Sequence, residues 1–167
     1  VMNAGAYGGE MKDVLLEVTV MDGRGEIFTI PAEKLELGYR TSIIKKAGYI
    51  VLKAKIRLEE GNQEEIREKM KDLTIRRTTK QPLEYPSAGS VFKRYPGYYT
   101  SRLIEEAGLK GRAVGGACVS KKHAGFIVNL GGATASDVKE LINQIKAEIF
   151  NRYGIHIECE IVFAPSC

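Results

Sequence analysis

The sequence predicts an α+β fold. Three observations carry that prediction: stretches with apolar residues at every second position, stretches with apolar residues at helical spacing, and no internal repeat. Residues 14–20, VLLEVTV, are rich in β-formers. Asp22 and Gly23 in MDGRG then supply a turn, and EIFTI reads as the return strand of a hairpin. Residues 49–58, YIVLKAKIRL, alternate apolar and basic positions through Leu52, Ala54, Ile56 and Leu58, which predicts a strand with one wet face. A helix is expected over 62–73, with Asn62 as cap, Glu65 three residues on, and Ile66, Met70 and Leu73 along one face. Residues 74–99 hold three prolines and little regular period, so a domain boundary is expected near its start, around Leu73 to Pro82.

The last third is more regular. SRLIEEAGLKG predicts a short helix with Leu103, Ile104 and Ala107 inward and Gly108 as its stop. AVGGACVS and AGFIVNL read as strands. Thr134 with Asp137 marks the start of a helix that runs to Tyr153, with Val138, Leu141, Ile142, Ile145 and Ile149 as its stripe and Gly154 as its end. A closing strand over 155–163 places Ile155, Ile157, Cys159, Ile161 and Phe163 on one face and His156, Glu158, Glu160 and Val162 on the other.

Composition narrows the function classes. The chain has 167 residues, 44% hydrophobic and 28% charged, with a net charge of +4, an ordinary balance for a soluble globular protein. No apolar run approaches the roughly 20 residues of a membrane span, and no signal peptide opens the chain. Cys118, Cys159 and Cys167 with His123 and His156 lack metal-ligand spacing, so no metal site is expected and a reducing cytoplasm is the natural compartment. Arg76, Arg77, Lys80, Lys93 and Arg94, interleaved with Tyr85, Tyr95, Tyr98 and Tyr99, suit a nucleotide diphosphate. Single-stranded nucleic acid would use the same residue types, but with higher charge and a repeated aromatic platform, and no nucleic-acid partner is expected. The opening NAGAYGG reads as a glycine-rich turn without a preceding strand, the middle of a longer protein.

Taken in order, MNAGAYGGEM, GYRTS, RRTTKQP, PSAGSVFKR, LIEEAGLKG, VGGACVSKKHAGFIVN, ATASDV and IECEI resemble segments of the UDP-N-acetylenolpyruvoylglucosamine reductase (MurB) family, in family order and in the form of its shorter branch. The resemblance implies residues 1–75 as the second half of an FAD-binding α+β domain and residues 76–167 as a small α+β domain that binds a UDP-sugar, with the N-terminal FAD-binding region lying ahead of this chain. It implies FAD and NADPH as cofactors, and reduction of UDP-N-acetylglucosamine enolpyruvate to UDP-N-acetylmuramate for peptidoglycan. Ser90 matches the proton donor, Arg40 the arginine on the substrate carboxylate, and Glu160, rather than Glu158, the second catalytic carboxylate. Tyr39, Arg77, Lys80 and His123 match substrate contacts, and Asn3, Ala4, Gly5 and Tyr7 match the segment beside the flavin. Val162 and Arg94 depart from the pattern of many relatives. The alternative reading is a UDP-sugar or nucleotide-binding module without catalysis.

Overall fold

The computed structural model describes residues 1–164. The chain forms two compact units, Val1–Gln63 and the residues from Glu64 on. Each mixes helix and strand, as an α+β fold requires.

The first unit opens with a two-residue hairpin, β1 (Gly5–Ala6) and β2 (Gly9–Glu10). Both loop residues, Tyr7 at φ 53° and Gly8 at φ 87°, are left-handed, the pattern of the type I′ turns that fit strand twist. β3 (Leu15–Met21) and β4 (Ile27–Pro31) form the expected hairpin, and β5 (Ile50–Ile56) adds on the other side, giving the order β4-β3-β5. The two-residue period sends Val18 and Val20 of β3 inward against Leu35 and against Ile44 of α1 (Ile43–Ala47). β5 departs from the expectation. Its predicted apolar face stays open, with Leu52 50% and Leu58 77% exposed, while Val51 of the opposite parity packs on the core. A register shift between β3 and β5, at Thr19/Val20, breaks the simple alternation.

Helix α2 spans Gln63–Lys80, starting directly after Asn62 but running well past the predicted end at Leu73. Thr74 and Thr78 donate their hydroxyls to carbonyls one turn back, and Arg76 pairs with Asp72 at 2.9 Å, so residues 74–80 continue the helix rather than begin an irregular stretch. The boundary expected between residues 75 and 76 therefore falls inside a continuous helix that groups with the second unit. Ile66 and Met70 are exposed.

In the second unit, β6 (Ser87–Ser90), β7 (Ala113–Val114), β8 (Ala117–Val119) and β9 (Phe126–Asn129) form an antiparallel sheet in the order β6-β9-β8-β7. AVGGACVS is thus a hairpin and not one strand. Gly115, at φ 52°, and Gly116 make its two-residue turn between Val114 and Ala117. Helix α3 (Thr100–Glu106) buries Leu103 and Ile104, and Ala107 and the left-handed Gly108 end it as expected. Helix α4 (Ala135–Tyr153) buries Leu141, Ile142, Ile145 and Ile149, and Gly154 ends it in a left-handed cap. Each such side chain contributes on the order of 1.5–3 kcal/mol by leaving water. The segment 155–163 keeps the predicted alternation, since Ile155, Ile157, Cys159 and Ile161 join the core while His156 and Glu158 stay exposed. It is not a strand. A single bridge, Phe92 to Cys159, is all the ladder it makes, and Phe163 is not in the core cluster. Cys167 lies outside the described residues.

Capping of α4 has a pH signature. The Thr134 hydroxyl accepts from the Asp137 N–H, and the Asp137 carboxylate accepts from the Thr134 N–H at 2.9 Å. That backbone bond is the main reason the Asp137 carboxyl titrates below its ordinary value of 3.8. A depressed folded-state value means the stabilisation is complete above 3.8 and disappears as pH falls through the lower folded value. Asp137→Asn is expected to flatten the acid limb of the melting temperature against pH. An unchanged acid limb would show that the cap does not carry this linkage.

Candidate functional site

The first unit builds one group of candidate residues around a turn. Gly38 and Thr41 exchange backbone hydrogen bonds at 3.2 and 3.3 Å, which leaves Tyr39 and Arg40 as the two corner residues. Arg40 has φ 55°, the left-handed value that the third position of a type II turn requires and that glycine or asparagine ordinarily supplies. An arginine there costs about 1–2 kcal/mol of backbone strain, so its surroundings must hold it. The Arg40 guanidinium lies 5.2 Å from the centre of the Tyr39 ring. Across from the turn is the β1–β2 hairpin with Asn3, Ala4, Gly5 and Tyr7. Asn3 is buried, and its amide donates to Glu10 Oε2 at 2.8 Å and to the Gly38 carbonyl at 3.3 Å. Ala4, Gly5 and Ala6 are exposed and carry at most a methyl group, while Tyr7 is a half-exposed ring beside them.

The second unit builds another group on one face of its sheet. Ala117, Val119 and Ile127 point to the core with α4. Cys118, Phe126 and Val128, of the opposite parity, face the other way. Ser87 pairs with Val128 and Ser90 with Phe126, so three steps along β6 match two along β9. The extra residue is a bulge with Gly89 at φ 81°, and it brings Ser87 and Ser90, which would otherwise diverge, onto the same face as Phe126 and Val128. The same face carries a concavity lined by Tyr85, Cys118, Ser120, Lys121, Lys122 and Val128.

His123 reaches this face through the Phe126 ring, whose centre is 5.0 Å away in an edge-on contact. The Ser120 hydroxyl accepts from the N–H groups of Lys122 and His123 and holds the SKKH turn. His123 Nδ1 accepts from the Gly125 N–H at 3.0 Å, which leaves the ring proton on Nε2 as a donor. Burial is the main cause that lowers the imidazole pKa below 6.5, so the neutral ring is favoured. Lys122 Nζ donates to the Thr78 carbonyl at 2.9 Å and lies 3.6 Å from Glu84. It ties the last turn of α2, which carries Arg77 and Lys80, to the His123 turn, and so gathers the cationic residues. Glu160 is partly buried, and its N–H donates to the Val91 carbonyl at 2.8 Å, next in sequence to Ser90. Glu158 pairs instead with Lys93 at 2.8 Å, is largely exposed, and has its carboxyl held below the ordinary value by that bond.

Sequence reading missed Glu10, Ser42 and Lys122, which fix the candidate residues. Asn3 carried one usable signal, since asparagine is a short side chain that tolerates left-handed backbone, and its φ is 44°.

A family model described as UDP-N-acetylenolpyruvoylglucosamine reductase, C-terminal domain, matches residues 81–164. The UDP-N-acetylenolpyruvoylglucosamine reductase of Alkaliphilus oremlandii is 56% identical over 160 residues, 96% of this chain and 53% of that protein. The chain belongs to the UDP-N-acetylenolpyruvoylglucosamine reductase family. The family protein of Clostridioides difficile is 53% identical, again over 96% of this chain and 53% of its own length. The crystal structure of the reductase (MurB) from Thermus caldophilus superposes with a TM-score of 0.84 at 38% identity, covering 98% of this chain and 58% of that one. This member spans about half the length of the curated relatives it matches. Among the described residues no helix is long and apolar enough to cross a membrane.

Proposed function

We propose that this chain carries the substrate-reducing part of a cytoplasmic UDP-N-acetylenolpyruvoylglucosamine reductase, which converts UDP-N-acetylglucosamine enolpyruvate to UDP-N-acetylmuramate for peptidoglycan with FAD and NADPH. The observation that supports this best is the Gly89 bulge. It puts Ser90 on the sheet face that also carries the lysine-lined concavity, with His123 reached through Phe126.

The bare peptide edge of Ala4–Ala6 beside Tyr7 fits a flat ring system that needs close approach to backbone, so Asn3, Ala4, Gly5 and Tyr7 would lie along the flavin. FAD, when bound, supplies hydride chemistry that no side chain of this chain can. The first unit would then be part of the FAD-binding domain, and the second unit would carry the UDP-sugar domain.

The remaining work falls to the protein. Arg40 would hold the substrate carboxylate, and its planar fork would stabilise the negative charge that spreads onto that group as the double bond is reduced. Ser90 would give its hydroxyl proton to the carbon beside the carboxylate. A serine is a weak acid in water, but an enolate is a strong base, and the transfer needs only hydrogen-bond reach. Glu160 would orient or polarise the enolpyruvyl group, and Tyr39 would contact the substrate. Arg77, Lys80 and the Nε2–H of His123 would take the diphosphate, where a neutral imidazole serves as a donor and the two cations supply charge.

The test is the reaction itself, in an enzyme of the relatives' full length that contains this chain. NADPH oxidation should depend on UDP-N-acetylglucosamine enolpyruvate and yield UDP-N-acetylmuramate, and Lys80→Ala with Arg77→Ala should raise KM far more than it lowers kcat. Binding of the UDP-sugar with no turnover would favour the non-catalytic module instead.

A further inference from the structure

We propose that Asn3 is a positioning residue for Arg40: its side-chain amide, seconded by Ser42, holds the Gly38–Thr41 turn in the form that presents the arginine. The inference rests on the reading above in which Arg40 holds the substrate carboxylate.

Asn3 is only 3% exposed, and every polar group of its side chain is used within the protein. Its Oδ1 accepts from the Lys12 N–H at 2.9 Å, while Nδ2 is shared between Glu10 Oε2 and the Gly38 carbonyl, the residue that opens the turn. On the far side of the turn Ser42 is fully buried, and its hydroxyl donates to the Val1 carbonyl at 2.5 Å. The segment before β1 thus grips the turn at both ends. Asn3, Tyr7 and Arg40 are three of the four left-handed non-glycine residues among the described ones, and all three lie in this assembly. A left-handed arginine persists only where its neighbours over-determine it, and the bond from Asn3 to the Gly38 carbonyl is one long-range contact that fixes the turn. Glu10 completes the arrangement: bonded to Asn3 and 3.0 Å from Lys12, it sets a negative charge in the field of Arg40.

A buried amide that fixes the turn has a specific chemical requirement. It must donate toward Gly38 and Glu10 and accept from Lys12 at once. Aspartate has the same size and the same tolerance of left-handed backbone and can still accept from Lys12, but it donates nothing and sets a second carboxylate against Glu10. Asn3→Asp therefore separates the donor function from shape.

Two readouts are needed. In the 167-residue chain, the backbone chemical shifts and HN–Hα coupling of Arg40 report its left-handed conformation, and Asn3→Asp should abolish that signature. In an enzyme of the relatives' full length, the same change should slow flavin reoxidation by substrate about 10²-fold, the cost of a small misplacement of a reacting group, and by far more than it slows flavin reduction by NADPH. Adding Glu10→Gln to Asn3→Asp relieves the carboxylate repulsion but restores no donor to Gly38, so both signals should stay lost. Should Asn3→Asp fail to fold, Ser42→Ala removes the second hold on the turn, its bond to the Val1 carbonyl, without touching Asn3, and must shift the Arg40 signature in the same direction. A left-handed Arg40 that survives either variant overturns the proposal, whatever the rate. A lost signature with an unchanged rate keeps the positioning and sinks the catalytic reading of Arg40.

Discussion

In an enzyme of the relatives' full length, and on the proposed role of Ser90, Ser90→Ala should slow turnover by about 10²–10⁴-fold, the usual contribution of a positioned general acid, while flavin reduction by NADPH proceeds at its normal rate. The asymmetry follows from where the proton is used. In the proposed reaction only the half with UDP-N-acetylglucosamine enolpyruvate would end with a proton on carbon, so only that half should be slow. Ser87 is the other hydroxyl of the SAGSVF segment, on the same sheet face, but it pairs with Val128, two positions along β9 from the partner of Ser90, and its oxygen already accepts from the Gly89 N–H at 3.4 Å. Ser90→Cys should lose less than alanine, since a thiol can still deliver a proton from nearly the same place. Stopped-flow measurement of the two half-reactions decides the matter. An alanine variant that is slow with NADPH and normal with substrate would show that Ser90 is not the proton donor.

The largest effect on stability is expected at Gly116. A methyl group there would lie 2.2 Å from the Gly131 carbonyl and 2.5 Å from the Ala133 nitrogen, both backbone atoms that cannot swing aside. The neighbouring Gly115 leaves no room either, because its own added carbon would sit 2.5 Å from Asp137 Oδ2. The β7–β8 turn is pressed against the loop that leads into α4, and the Gly116 carbonyl accepts from the Leu130 N–H at 2.9 Å. Gly116→Ala must therefore push the hairpin off that loop, at a cost of about 3 kcal/mol or more, the upper end of overpacking penalties. For a unit of this size that lowers Tm by more than about 10 °C. Gly23→Ala is the control, since nothing lies within 4 Å of the added carbon, and its Tm should barely move. Equal melting temperatures for the two variants would mean the close approach at Gly116 is not real.

What the sequence revealed follows from how local each signal is. Helix α4 could be read end to end because its cap, stripe and stop all act within a few residues of where they stand: Thr134 with Asp137, the Leu141–Ile149 face, then Gly154. The Gly115–Gly116 turn has no such local signal, since two glycines between apolar residues do not say whether the chain continues or reverses. Residues 155–163 alternate as a strand does, yet ladder formation depends on a partner, and Phe92 alone supplies one. On α2 and β5 the periodic apolar residues mark a face without saying whether anything covers it. Apart from the basic, tyrosine-interleaved stretch that holds Arg77 and Lys80, the candidate site residues gain roles only through family resemblance. Nothing local foretells that Asn3 is buried against Gly38, or that a bulge turns Ser90 onto the face of Phe126, because both depend on contacts distant in sequence.

The bulge also bears on how readily an inhibitor could be evaded. Gly89 sits at φ 81° with open space where a side chain would begin, so what excludes other residues is the backbone conformation itself. From a glycine codon, one nucleotide change leads to alanine, serine, cysteine, arginine, aspartate, glutamate, valine or tryptophan. Of these only aspartate is among the residues enriched in left-handed backbone, and it would set a new carboxylate next to Ser90. Asparagine, the more natural substitute, needs two changes. A compound that rests on the peptide backbone of Gly89 would therefore meet almost no single-step substitution at that position that keeps the bulge and, with it, the place of Ser90 on this sheet face.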